Sequence, residues 1–271
     1  MKTSLETRLG IALTSSQRSA AEAFVERLAG SLARAPLPAA VSLADGSWAS
    51  ALLADVVVFA WIDDRYDADG RCAPGPLELR RVLAQLEQEL EPDARSPAAL
   101  ALWRRTADEF VGLMDARANA GPDRRWTLLE YAQEAVVDSS IHHLLATLSL
   151  VFELDLHARL DEPELAAFVG ELGLRARLLN DLHSCERERG DAAPRNLVLE
   201  LEARAGPDGA RGIVADMAAD THHGLLRLRE RLGPTDPLAE LGWRTLEVIE
   251  SIYADVSARY APLGARSGLR A

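Results

Sequence analysis

Clusters of proline and glycine cut this chain into lengths that suit helices. Pro36 and Pro38, APGP at 73–76, Pro92 and Pro97, AGPD at 120–123, Pro163, Pro194, AGPDG at 205–209 and GPTDP at 233–237 each mark a helix start or stop. Proline lacks the backbone N–H and glycine enters left-handed backbone freely. Between these points Ala, Leu, Arg and Glu dominate, the residues that lose least on entering a helix. Runs of Val, Ile, Thr and aromatic residues bounded by turn signals are scarce. The expectation is an all-α chain of about ten helices.

With 271 residues, 48% of them hydrophobic, the chain can bury one large core. No shift in composition divides it, so a single domain over 1–271 is expected. The formal charge of -12, with basic residues scattered among acids, argues against a nucleic-acid partner, because phosphate backbones demand clustered Lys and Arg. An anionic substrate would need metal ions or a few placed arginines. Cys72 and Cys185 are the two cysteines, without metal-type spacing. The N-terminus lacks the apolar run of a signal peptide, and the apolar segment beginning at Leu144 is too short to span a bilayer. A soluble cytoplasmic protein without a membrane anchor is expected.

Two stretches turn from apolar to polar within what reads as one helix. LLADVVVFAWIDDRYD is apolar almost all round until it reaches its aspartates, the pattern of a buried helix whose end opens on something polar. Asp63 and Asp67, four apart, share a helical face with Asp64 alongside. Like charges so placed are tolerated if the face is solvated, if a proton is shared, or if a hard divalent cation binds them. In LLNDLHSCERERG, Asn180, Ser184 and Glu188 form an i, i+4, i+8 stripe of amide, hydroxyl and carboxylate oxygens, a set that can chelate Mg²⁺. Arg177, one turn earlier, would project from the same side, ready to bind an anion carried by the metal. Cys185 should face away from the stripe. His142/His143 and His222/His223 are adjacent pairs that point about 100° apart on a helix and chelate poorly, so they read as structural.

DDRYD at 63–67 resembles the DDxxD motif of class I terpene synthases, and NDLHSCERE at 180–188 resembles their second metal motif, (N/D)Dxx(S/T)xxxE. Arg259 and Tyr260 look like the Arg-Tyr pair that contacts diphosphate in bacterial members. The resemblance implies a single class I α-domain, antiparallel helices around a deep apolar cavity with three Mg²⁺ ions at its mouth. It implies that Asp63 and Asp67 hold two ions while Asn180, Ser184 and Glu188 hold the third. By the same resemblance Asp64, at the metal site with Asp63 and Asp67, and Asp181, beside the substrate, are motif members expected to act through hydrogen bonds. Arg177, Arg259 and Tyr260 are implied to grip the diphosphate.

Many bacterial sesquiterpene synthases carry a diphosphate-sensing arginine well upstream of the second motif, and EYAQEAVVDSSIHHLL, the corresponding region, has none. Arg177 instead resembles the arginine that precedes the motif in plant-type enzymes. ERERGDAAPRNLVLEL is similar to the matching stretch of kaurene synthases, with Arg195, Asn196 and Leu197 in equivalent places. The nearest resemblance is therefore to bacterial kaurene-synthase-like, labdane-related diterpene synthases, which ionise a copalyl-type diphosphate and form a kaurene- or pimaradiene-type hydrocarbon. No DxDD motif occurs, so a separate class II cyclase would supply that substrate. The alternatives are direct cyclisation of geranylgeranyl or farnesyl diphosphate and, from another class, an acidic helical scaffold without catalysis. Phe59, a turn deeper than Asp63, and Leu174, a turn deeper than Arg177, are candidate cavity residues. VVDSS is the expected helix break, with Asp138, Ser139 and Ser140 giving it polarity beside the substrate. A homodimer would be common for the family.

Overall fold

The computed structural model describes residues 5–35, 47–67, 75–91, 96–119, 126–152, 154–190 and 195–260; among these, the side chains at 47, 60, 63–67, 76, 117–119 and 256–260 lie outside the description. The described residues form eleven helices and no strand: α1 (Leu5–Leu9), α2 (Ser15–Leu32), α3 (Ser47–Asp67), α4 (Pro76–Leu90), α5 (Pro97–Asn119), α6 (Leu128–Asp138), α7 (Ile141–Phe152), α8 (Leu156–Arg159), α9 (Pro163–Glu188), α10 (Leu197–Leu232) and α11 (Pro237–Tyr260).

The punctuation acts as expected at most boundaries. Proline opens α4, α5, α9 and α11, where its missing N–H would have lacked a partner in any case. Thr14 with Gln17, and Thr127 with Glu130, close reciprocal capping boxes on α2 and α6, which satisfy the first orphan N–H groups. AGPDG differs, because it bends one long helix and does not end it. Gly206 takes φ 71 inside α10, and Pro207 follows it.

Helix α9 is the axis of the fold, packing against α6, α7, α10 and α11, while α3 packs on α2, α4 and α7. Two glycines bring neighbours unusually close. A Cβ at Gly173 of α9 would stand 2.7 Å from Val136 Cα of α6, and one at Gly242 of α11 would stand 2.6 Å from Leu172 Cδ1 of α9. The main core joins Leu52, Val58, Trp61, Trp103, Leu148 and Phe168. A second cluster, with Tyr131, Leu178, Cys185, Leu197 and Val214, closes α6 and α10 over the C-terminal half of α9.

One polar network crosses the main core. His143 Nε2 lies 3.0 Å from Asp55 Oδ1 and its Nδ1 lies 2.9 Å from Thr106 Oγ1, while Trp103 Nε1 donates to the same Asp55 oxygen at 3.4 Å. Buried polar groups need such partners, and here they pin α3 to α5 and α7. His143 is thus structural, as its sequence context implies.

Leu128–Phe152, 25 residues, is long and apolar enough by length and composition to cross a bilayer. It is, however, two helices. The chain breaks at Ser139 and Ser140, and 67% of its most apolar window is buried against the rest of the protein.

Candidate functional site

Three oxygen-bearing side chains line the C-terminal half of α9. Ser184 Oγ donates to the Asn180 carbonyl at 2.8 Å, the back-bond to residue i−4 that serine makes within helices, and accepts from Asn196 Nδ2 at 3.2 Å. Asn180 Nδ2 donates to the Tyr253 hydroxyl of α11 at 3.0 Å, and Asn180 Oδ1 lies 3.4 Å from Ser184 Oγ. Glu188 is buried, 8% exposed. Its ion-pair partner among the described residues, Arg187, stands 3.6 Å away with a side chain 65% exposed. A buried carboxylate in line with a hydroxyl and an amide oxygen, with Arg177 as a further nearby charge, is a donor set that fits a hard cation. No three His, Cys, Asp or Glu side chains converge on a metal-type site among the described residues. The stripe contributes only one carboxylate.

A second constellation lies beside it. Asp181 is fully buried. Its Oδ2 accepts from the Tyr131 hydroxyl at 2.8 Å and from Leu197 N at 2.7 Å, and its Oδ1 stands 3.0 Å from Arg177 Nε. Arg177 Nη1 pairs with Asp138 Oδ2 at 2.7 Å, and Nη2 donates to the Arg195 carbonyl. Burial pushes the Asp181 carboxyl up to about 6, against the opposing pull of Arg177 and its donors. Burial also works against the Arg177 charge, but Asp138 and Asp181 outweigh it and hold the guanidinium firmly protonated. The Tyr131 phenol is raised far above its ordinary range, first by burial and then by Asp181, so it acts as a donor. Arg177, Asp138, Tyr131, Glu134, Trp126 and Arg195 line a small cleft here.

Arg177 therefore faces a different way from that expected. Three residues before Asn180 it lies about 60° away around the helix, but only about 40° from Asp181 at i+4. The buried carboxylates of Asp181 and Asp138 draw it toward α6. The break at VVDSS stands where the sequence placed it. α6 ends at Asp138, Ser139 caps it, and Ser140 turns into the left-handed region at φ 57 before α7 begins. Ser139 Oγ donates to Val136 O at 3.2 Å and accepts from Ile141 N at 3.4 Å, and the break nests against Gly173 of α9.

Phe59 packs between His143 and Phe110, with ring centroids 4.5 and 5.0 Å away. Leu174 joins the second cluster. Cys185 faces away from the stripe toward Arg211. The side chains of Asp63, Asp64, Asp67, Arg259 and Tyr260 lie outside the described residues. Their backbones close α3 and α11, and α7 contacts both α3 and α9, the two helices that carry the motifs.

Tyr131, Tyr253 and the full role of Asn196 escape a sequence reading. Asn196 is fully buried. Its Nδ2 donates to Asp181 O and Ser184 Oγ while its Oδ1 caps α10 through Val198 N and Leu199 N. The legible signal was an asparagine directly before LVLEL, a helix-start signature. For the two tyrosines no local signal exists.

No curated protein matches the sequence. Seventeen chains of solved structures do match. One of these, a single-substitution variant of cucumene synthase, covers 93% of this chain and 90% of its own at 17% identity, with a TM-score of 0.64, a likeness of fold. The family model described as terpene synthase family 2, C-terminal metal binding, matches residues 46–223, a span that contains both motifs and the helix break. The chain belongs to that family and is a class I terpene synthase, a metal-dependent lyase acting on a prenyl diphosphate.

Proposed function

We propose that this enzyme ionises a copalyl-type diphosphate and closes or deprotonates the resulting cation to a labdane-related hydrocarbon, with a separate class II cyclase supplying the substrate. The observation that carries the proposal is Arg177. It precedes the metal motif as in plant-type enzymes, is held protonated between α6 and α9 beside the helix break, and has no arginine counterpart within α6.

Asn180, Ser184 and Glu188 would hold one Mg²⁺, and Asp63 and Asp67 two more. Bound there, the ions supply Lewis-acid neutralisation of the charge that develops on departing diphosphate. The chain's own groups do the rest. The Arg177 guanidinium, held by Asp138, Asp181, Tyr131 and the Arg195 carbonyl, would add a fixed positive charge beside the break that favours the departing diphosphate. Arg259 and Tyr260 would close on the same diphosphate. The C-terminal end of α6 at the break presents backbone carbonyls, the partially negative end of a helix, in a region able to favour positive charge. Exclusion of water by apolar side chains around the substrate would let the allyl cation rearrange and lose a proton without being trapped as an alcohol.

The test is product analysis by gas chromatography and mass spectrometry after incubation with Mg²⁺ and, separately, farnesyl, geranylgeranyl, and ent-, normal- and syn-copalyl diphosphate. Hydrocarbon from a copalyl isomer alone is the expected result. Product from a linear substrate would replace the copalyl assignment with direct cyclisation.

A further inference from the structure

Asn196 lies outside both metal motifs, yet its side chain ends on the metal helix. Backbone groups, each able to act in one sense only, settle which way its amide points. Oδ1 accepts from Val198 N at 3.0 Å and from Leu199 N at 3.4 Å, and Nδ2 donates to the Asp181 carbonyl at 2.9 Å. Nδ2 also stands 3.2 Å from Ser184 Oγ, so that contact is a donation to the serine oxygen. The serine hydrogen then goes to the Asn180 carbonyl at 2.8 Å, nearer than Asn180 Oδ1 at 3.4 Å. A hydroxyl has one hydrogen and two lone pairs. With the hydrogen and one pair engaged, one pair is left for a further partner. Asn196 and Ser184 are both buried, so these bonds are made away from bulk water, where they hold more firmly.

Resting on the assignment of Asn180, Ser184 and Glu188 to a cation, we infer that Asn196 is a positioning residue that holds the Ser184 hydroxyl as an oxygen donor to that cation. A serine side chain has three staggered rotamers and a hydrogen free to turn. Released from Asn196, it could swing that hydrogen to Asn180 Oδ1 and engage the amide oxygen that the cation needs. Two bonds of opposite sense, one from Asn196 and one to the Asn180 carbonyl, keep Oγ in place. The same asparagine starts α10, whose first N–H, from Leu197, reaches Asp181 Oδ2 at 2.7 Å. The start of α10 is thereby held in register with the metal turn of α9.

Asn196→Ser keeps an oxygen to cap α10 but is too short to reach Ser184. Calorimetric titration of inorganic diphosphate should show the half-saturating Mg²⁺ concentration raised about threefold to tenfold. The Mg²⁺ requirement for turnover should rise by the same factor, with kcat at saturating Mg²⁺ within about twofold of the parent. Ser184→Ala provides the discriminating background, because it has already lost the oxygen that Asn196 holds. There the added Asn196→Ser change should move the Mg²⁺ requirement less than about twofold. Equal penalties in both backgrounds would mark Asn196 as a helix cap alone and overturn the inference, as would a folded Asn196→Ser protein with an unaltered Mg²⁺ requirement. The Asn196 side-chain amide gives a readout that needs no variant at 196. Its nitrogen-correlated NMR signal should shift when Mg²⁺ and diphosphate saturate the parent, and shift less in saturated Ser184→Ala; equal shifts in the two would overturn the inference. If Ser184→Ala itself leaves the Mg²⁺ requirement of the parent unchanged, the cation assignment falls, and the inference with it.

Discussion

Asp181 should separate the work of a hydrogen-bond acceptor from that of a charge. Its Oδ2 accepts from the Tyr131 hydroxyl and the Leu197 N–H, and its Oδ1 ion-pairs with Arg177 Nε at 3.0 Å, while Arg177 also pairs with Asp138 at 2.7 Å. Asp181→Asn can still accept from Tyr131 and Leu197 through one oxygen but turns its amide N–H₂ toward Arg177 Nε, so at pH 7.5 it should cost about 1–3 kcal/mol. Asp181→Ala strands both buried donors at about 1–3 kcal/mol each, and should cost about 3–5 kcal/mol in all. The pH dependence is specific. With its carboxyl raised from 3.8 to about 6 by burial, folded Asp181 binds a proton more tightly than the unfolded chain does. It contributes stability at low pH that is lost as pH rises through 6. Between pH 7.5 and 4.5 the parent should therefore gain on Asp181→Asn by about 2 kcal/mol. Urea unfolding at both pH values, with unchanged m-values, measures each difference. Equal costs for Asn and Ala would refute the acceptor role, and a parent-to-Asn difference independent of pH would refute the dominance of burial.

Other expectations follow from the same geometry. Gly173→Ala places a Cβ 2.7 Å from the Val136 backbone and should lower stability by about 1–3 kcal/mol. Gly170→Ala, on the same helix with nothing nearby, should raise it by up to about 1 kcal/mol; thermal unfolding of the pair shows whether close approach or propensity rules. Burial, with Arg105 and His143, lowers His142 from 6.5 to about 4, so its contribution is present above pH 6.5 and lost as pH falls toward 4. Glu109 Oε2 at 3.8 Å from His142 tempers this to a loss on the order of 1–2 kcal/mol, which His142→Gln should abolish in acid unfolding curves. Ser140→Val puts a β-branched residue at φ 57 and should cost roughly 1–2 kcal/mol by denaturant melt, whereas Ser140→Gly should be neutral or slightly stabilising.

What was legible in the sequence is what repeats with the helix itself. The Asn180, Ser184 and Glu188 stripe follows from i, i+4 spacing, and the break at Ser139 and Ser140 follows from two serines behind an aspartate in an otherwise apolar run. What was not legible depends on partners far along the chain. Arg177 turns from the stripe because Asp138 lies across on α6, and nothing local to either residue announces the other. Tyr131 and Tyr253 look like ordinary aromatic positions until α6 and α11 dock on α9. The lone Asp55 in LLADVVVFAW did carry a signal, since a buried carboxylate demands a partner; that the partner is His143 is a matter of tertiary structure.

The most direct test of the account is the release of inorganic diphosphate from the panel of prenyl and copalyl diphosphates, with Mg²⁺ and again with the metal chelated. Release from at least one substrate, abolished by chelation and reduced at least about 100-fold in a folded Glu188→Gln protein, is the predicted result. Diphosphate release from none of them by folded parent protein, or turnover indifferent to chelation and to Glu188, would contradict it.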